Sequence, residues 1–260
     1  MNSRFDPWCP DVKFLYLPKS LMWKQRSLFV LALAAALCAP ASRAAEQWEI
    51  KRANYYLTAK QQQMPEFKPP PAAGSRADLA DLAVLREWQK KRTTEQCAAA
   101  NSEARADYDL FFGEISPFIR PLPVEAAAVL KRVKTETDGI AADIKEKFKR
   151  PRPFERAADL EPCLGRIGGL AYPSGHATIS RLYALMLSDL APERRAEFLA
   201  RADEIGLYRI IGGVHHPTDI EAGQALADIL YRRYLKSQKF RKDMQALRGY
   251  LLREPAGAVK

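Results

Sequence analysis

The chain has 260 residues, 47% of them hydrophobic, enough for one well-buried core. Its formal charge of +10 is uneven: residues 1 to 44 hold six Lys/Arg and two Asp/Glu, leaving 35 against 29 beyond them, about +6. Basic and acidic residues are interleaved, and only Lys145 to Arg152 is densely basic, which excludes a nucleic-acid binder and suits a small anionic substrate.

In chain order, Lys24 and Arg26 precede an apolar run from Ser27 to Ala39, followed by small residues with Ser42 and Ala44 at the −3 and −1 positions of a cleavage site. This reads as an export signal removed after Ala44, with residues 22 to 44 the signal proper and residues 1 to 21 an upstream extension before Met22. The apolar run of about 13 residues is short of the ~20 that span hydrocarbon. No later stretch is long and apolar enough for a span, so the expectation is a periplasmic or secreted chain that is not a multi-span membrane enzyme. Cys9 and Cys38 fall in the removed part. Cys97 and Cys163 remain, candidates for one disulfide in an oxidising compartment. Neither sits in a CxxC or His-rich spacing, so no metal site is expected.

Residues 45 to 76, with Pro65, Pro69, Pro70, Pro71 and Gly74, read as an extended arm. Residues 77 to 250 read as one helical domain. Leu79, Leu82, Leu85 and Trp88 recur at helical spacing over 77 to 99, and a second stretch follows near 102 to 112. Pro117, Pro121 and Pro123 precede a long helix over 124 to 148, with Val124, Ala127, Leu130, Val133, Ile140, Ile144 and Phe148 on one face; Pro151 and Pro153 stop it. After a loop over 154 to 173, Ser174 caps a helix to about Leu190, and another covers 192 to 211, ending at Gly212-Gly213. Pro217 opens the last helix, read as continuous to about Leu247. No alternating strand pattern appears, so the fold expected is all-α, a single-domain helical bundle.

All three histidines, His176, His215 and His216, lie in two short segments, Tyr172-Pro-Ser-Gly-His-Ala177 and Tyr208 to Asp219. Histidine trades protons near neutral pH, so the confinement points to the chemistry. Phosphate-ester hydrolysis needs cations on the phosphate oxygens, an in-line nucleophile and a proton donor for the leaving group. Lys145, Arg152 and Arg209 supply the cations, arginine as a planar fork and lysine as a compact charge. The helix start at Ser174-Gly175 offers free N–H groups and close backbone approach to an oxyanion, with His176 at its rim as general acid. Asp219, four residues beyond His215, is placed to bond one imidazole nitrogen and leave the other free to attack phosphorus, making a transient phosphohistidine. His216 has no evident part.

Together the segments resemble the three-part motif of the phosphatidic acid phosphatase type 2 superfamily: Lys-x6-Arg-Pro, Pro-Ser-Gly-His, and Ser-Arg-x5-His-x3-Asp. Here these are Lys145 with Arg152-Pro153, Pro173 to His176, and Arg209 with His215 and Asp219. The resemblance implies Lys145, Arg152 and Arg209 as phosphate ligands, Ser174 and Gly175 as oxyanion contacts, His176 as acid, His215 as nucleophile and Asp219 as its orienter. Tyr208 departs from the pattern, standing where the family has Ser. The motifs cover residues 145 to 219, and the chain is most similar to class A bacterial non-specific acid phosphatases. That implies a metal-independent hydrolase of phosphate monoesters with broad specificity, inhibited by vanadate and needing no cofactor; a homo-oligomer is compatible with it. The alternatives are a lipid phosphate or diphosphate phosphatase of the same superfamily, a vanadium-dependent haloperoxidase with vanadate as cofactor, and a non-catalytic anion binder.

Overall fold

The structure, a computed structural model, describes residues 53 to 252. The export signal, Cys9 and Cys38 lie outside them. The described residues form ten α-helices and two 3-10 turns, with a single isolated bridge between Phe118 and Leu251. In order the helices are α1 (Ala59–Gln62), α2 (Arg76–Lys91), α3 (Thr94–Ser102), α4 (Tyr108–Phe112), α5 (Val124–Phe148), α6 (Pro153–Arg156), α7 (Gly175–Leu190), α8 (Arg195–Ile211), α9 (Pro217–Tyr234) and α10 (Gln238–Arg248). The protein is all-α, and no described helix is long and apolar enough to cross a membrane.

Helix α7 is the axis of the bundle. Nearly every side chain from Ala177 to Leu190 is buried, because α5, α8, α9 and α10 pack around it. A helix apolar all round belongs at the centre of a core. Close approach of α9 to α7 depends on Gly223: a Cβ there would fall 2.6 Å from the Ser174 carbonyl oxygen.

Several elements differ from the sequence expectation. The helix read over 77 to 99 is two, because Thr93 opens a capping box with Gln96 and restarts the chain as α3. The stretch read over 102 to 112 is only α4, after a connection through Glu103 to Asp107. The last helix breaks at Leu235, and α10 folds back so that Phe240, Met244 and Leu247 are buried and Phe240 packs against Tyr56, Tyr231 and Tyr234. On α2 the buried face is Asp78, Asp81, Leu82 and Leu85, whereas Leu79 is 55% exposed. On α5 Val124 is 80% exposed, and Ala126 and Val129 take the inner positions near it.

The arm from residue 53 to α2 is anchored rather than loose. Buried Glu136 on α5 accepts the backbone N–H groups of Tyr56 and Leu57 and the side-chain amide of Gln62. Phe67 rests against Tyr172, the residue before Pro173.

Candidate active site

The end of α5 sets the first part of the site. Lys149 closes the helix in the left-handed conformation, φ 48°, which turns the following residues inward. Lys145, in the last turn, donates from Nζ to the carbonyls of Leu170 and Pro173 at 2.6 and 2.7 Å. Arg152 precedes α6, whose Glu155 accepts its backbone N–H at 2.7 Å. The Arg152 guanidinium donates to the carbonyls of Gly169 and Val214 at 3.0 and 2.9 Å, and touches His215 Nε2 at 2.8 Å. That last contact settles the tautomer. A guanidinium only donates, so Nε2 of His215 carries the lone pair and Nδ1 carries the hydrogen.

Ser174 caps α7: its hydroxyl accepts from Ala177 N at 3.4 Å, and its own N–H donates to the Asp219 carbonyl at 2.9 Å, tying the second motif to the third. A Cβ added at Gly175 would meet no atom within 4 Å, so the space beside the helix start is open. His176 Nε2 lies 3.1 Å from the Glu103 carbonyl, an acceptor, so this nitrogen carries a hydrogen. Burial, with Arg209 nearby, pushes the His176 pKa down to about 3, so the ring is neutral near pH 7.

Arg209, in the last turn of α8, is 2% exposed; one of its terminal nitrogens donates to the Ala100 carbonyl, while its Nε is buried with no partner. Burial, assisted by Arg152 and opposed by Glu103, lowers its pKa to about 10. Burial and the Arg152 charge likewise bring Lys145 down to about 7. Three cations thus crowd one space, and the partners around Lys145 and Arg152 are carbonyls and a neutral ring. Asp219 and Glu103 offset this charge from a distance, and a phosphate dianion would meet it directly. Tyr208 takes no part in it, since its hydroxyl donates to Glu204 one turn back on α8.

Asp219 receives more than sequence reading assigns to it. Its Oδ2 lies 3.4 Å from His215 Nδ1, but it accepts the His216 backbone N–H at 2.7 Å and faces His216 Nδ1 at 2.9 Å. His216 is therefore no bystander: fully buried, it shares the carboxylate with His215, and its Nε2 accepts from Arg156 at 3.1 Å. On the other oxygen, Arg150 Nη1 donates to Asp219 Oδ1 at 2.7 Å and to the Thr218 hydroxyl at 2.8 Å. The other terminal nitrogen of Arg150 reaches Asp78 and Asp81, at 3.2 and 2.8 Å. Arg156 holds Asp78 through both of its terminal nitrogens, at 2.7 and 2.6 Å. Burial opposes ionisation of Asp219, yet the bonds from His215 and His216 hold its pKa well below the usual carboxylate range. For His215, burial and Arg152 act together to push the pKa well below that of a free imidazole.

Arg150, Arg156, Asp78, Asp81 and Thr218 escape sequence reading. One signal was present: Asp78 and Asp81 share a helix face with Leu82 and Leu85, and acids on a buried face need cations. Arg150 supplies that charge among three carboxylates. No group of three or more His, Cys, Asp or Glu side chains among the described residues is arranged to hold a metal ion. Cys97 on α3 and Cys163 in the loop after α6 are joined in a disulfide.

An all-α bundle that gathers two buried arginines and a part-buried lysine, a capped helix start and a carboxylate-oriented histidine defines a class of phosphate-handling proteins. The comparisons say which. The PAP2 superfamily model matches residues 135–242. A non-specific acid phosphatase of Providencia stuartii is 30% identical over 210 residues, covering 74% of this chain and 82% of that protein. An acid phosphatase of Zymomonas mobilis is 30% identical over 194 residues, covering 69% and 72%. A lipid A 1-phosphatase of Rhizobium etli is 34% identical over 156 residues, covering 58% and 61%. The chain belongs to the PAP2 superfamily, and it is a phosphoric monoester hydrolase.

Proposed function

We propose that the protein is a broad-specificity acid phosphatase that works through a phosphohistidine and without a metal ion. The observation that carries this is the cation cluster of Lys145, Arg152 and Arg209, whose buried Arg209 Nε has no partner. A bound phosphate monoester gives these groups oxygens in place of the carbonyls, and Ser174 and the open backbone at Gly175 take a further oxygen. As Arg152 swings its Nη1 from His215 to phosphate, the Nε2 lone pair is released toward phosphorus.

The reaction then balances in two steps. Nε2 of His215 forms a bond to phosphorus as the ester P–O bond breaks, Asp219 stabilises the imidazolium, and the departing oxygen takes a proton from His176. A water, giving its proton back to His176, attacks phosphorus and breaks the P–N bond, releasing inorganic phosphate. His176 gains its proton as substrate binds, because the arriving anion offsets Arg209 and favours the protonated ring. Vanadate, the same charge type in the same cradle, is expected to inhibit.

The disulfide between Cys97 and Cys163 supports an oxidising location, periplasmic or secreted. Rapid quenching with labelled substrate tests the mechanism: an acid-labile, alkali-stable phosphoryl group is expected on His215, surviving dialysis of the protein against a chelator. Near-normal turnover by His215→Ala would overturn it. Peroxide-dependent halide oxidation appearing only with vanadate would instead favour the haloperoxidase reading.

A further inference from the structure

His176 is held from two sides. Its Nε2 donates to the Glu103 carbonyl at 3.1 Å, just past the end of α3, and its ring lies 5.7 Å from that of Phe111 on α4. These two residues share a further partner. On α8, Arg201 donates from Nε to the Phe111 carbonyl at 2.8 Å and from one terminal nitrogen to the Glu103 carboxylate. Its other terminal nitrogen is paired with Glu204 at 2.5 Å. The connection from Glu103 to Asp107 has no helix ladder of its own. A guanidinium fork with an acceptor on either side of that connection fixes it.

Glu103 serves a second cation as well. Its charge offsets that of Arg209, the phosphate ligand whose field, after burial, is what most opposes a protonated His176. The Nε2 contact also decides which nitrogen acts. A carbonyl accepts only from an N–H, so Nε2 keeps its hydrogen whether the ring is neutral or charged, and Nδ1 is the nitrogen that gains and gives up a proton. In the first chemical step the Nδ1 hydrogen passes to the ester oxygen as the P–O bond breaks. The ring is left neutral, with Nε2 still bound to Glu103.

We propose that Arg201 and Glu103 are positioning residues for this acid: by bridging Glu103 and Phe111, Arg201 fixes the carbonyl and the ring that together aim Nδ1 of His176 at the leaving oxygen. The proposal rests on the phosphatase reading and on His176 as its acid. A misaimed acid costs most where the leaving group needs a proton, and little where it departs as a stable anion.

The test compares kcat/KM for propyl phosphate, whose alkoxide depends on the acid, with that for p-nitrophenyl phosphate, whose phenolate does not. Arg201→Met is expected to lower the propyl value about tenfold more than the p-nitrophenyl value. Arg201→Lys keeps a charge for Glu103 but lacks the fork that also reaches Phe111, and Glu103→Gln keeps the shape without the charge. Both are expected to show the same asymmetry in smaller measure, and they carry the test if Arg201→Met does not fold. In a His176→Gln background the asymmetry is already complete, and Arg201→Met is expected to add nothing to it. Falls of equal size for the two esters, as a merely structural contact would give, overturn the proposal, as does an unchanged ratio in the folded variants. An unchanged ratio in His176→Gln alone would remove His176 as the acid, and the proposal with it. A wild type that releases phosphate from neither ester would sink the phosphatase reading itself.

Discussion

Arg150 Nη1 lies 2.7 Å from Asp219 Oδ1, on the carboxylate oxygen that His215 does not touch. One buried guanidinium thereby fixes the carboxylate behind the proposed nucleophile and also joins it to Asp78 and Asp81 on α2. Removing one partner from such a network strands the others. Arg150→Met is expected to lower stability by about 3–5 kcal/mol, read as a fall in the denaturation midpoint. Arg150→Lys keeps the charge but cannot bridge three carboxylates and Thr218, so an intermediate loss is expected. A denaturation midpoint for Arg150→Met equal to wild type would show the network to be energetically idle.

His216 is the second test of that carboxylate. Its ring and backbone N–H make the shorter bonds to Asp219 Oδ2, and His215 takes the longer one at 3.4 Å. His216→Phe keeps the backbone N–H and removes the ring donor, leaving Asp219 less firmly placed and Arg156 with Asp78 alone as acceptor. The loss of one such bond is worth about 1 kcal/mol, so kcat should fall by about fivefold while KM holds. Steady-state kinetics distinguish this from His215→Ala, for which turnover should disappear.

The contrast between His215 and His216 shows where sequence reading stops. The caps at Ser174 and Pro217 and the motif spacings are visible because each depends on residues a few positions apart. Thr93-x-x-Gln96 carried a local break signal of the same kind. Burial of Asp78 and Asp81 depends instead on Arg150, about 70 residues away, and no local pattern announces it. The turn at Leu235 has neither Pro nor Gly, and it forms because Phe240 gains a place among Tyr56, Tyr231 and Tyr234. Which of two adjacent histidines meets Asp219 more closely is likewise decided by how the backbone enters α9.

Acid should weaken the fold. His176 has a native pKa of about 3 against 6.5 when unfolded, so below pH 6.5 the unfolded chain binds a proton that the native one refuses. Its share of stability is whole above pH 6.5 and is lost as pH falls toward 3. Asp78, held at about 2 by Arg156 against an ordinary 3.8, contributes about 2 kcal/mol that is whole above 3.8 and lost as pH falls to about 2. Both act in one direction. The Tm should decline steadily from pH 7 to pH 3, and His176→Gln should flatten the upper part of that decline. A Tm that rises on acidification from pH 7 would contradict both assignments.

The disulfide bears on the loop that covers Arg152. Cys97 and Cys163 are 66 residues apart in sequence, and Cys163 lies just ahead of Gly168 and Gly169, whose carbonyls accept from Arg152. Closing a loop of that length restricts the unfolded chain by an amount worth about 2–4 kcal/mol. Cys97→Ser with Cys163→Ser should lose stability of that order. It should also raise KM, because the loop behind a phosphate ligand is no longer tethered. Unchanged denaturation midpoints with and without reductant would argue against it.

Gly223 tests how tightly the motifs are coupled. A methyl group there would lie 2.6 Å from the Ser174 carbonyl oxygen and 3.0 Å from Ala177 Cβ, and neither a backbone oxygen nor a helix core residue yields readily. Helix α9 must retreat from α7, and the Ser174 N–H bond to the Asp219 carbonyl lies in the path of that movement. Overpacking of this kind costs about 1–3 kcal/mol. Gly223→Ala should therefore lose stability by that amount and lose kcat as well, since the helix cap and the carboxylate move apart together. Gly139, where an added Cβ meets nothing within 4 Å, is the control. Gly139→Ala should leave turnover unchanged, and a drop in kcat there equal to that of Gly223→Ala would mean that the effect comes from helix propensity and not from the α7 to α9 contact.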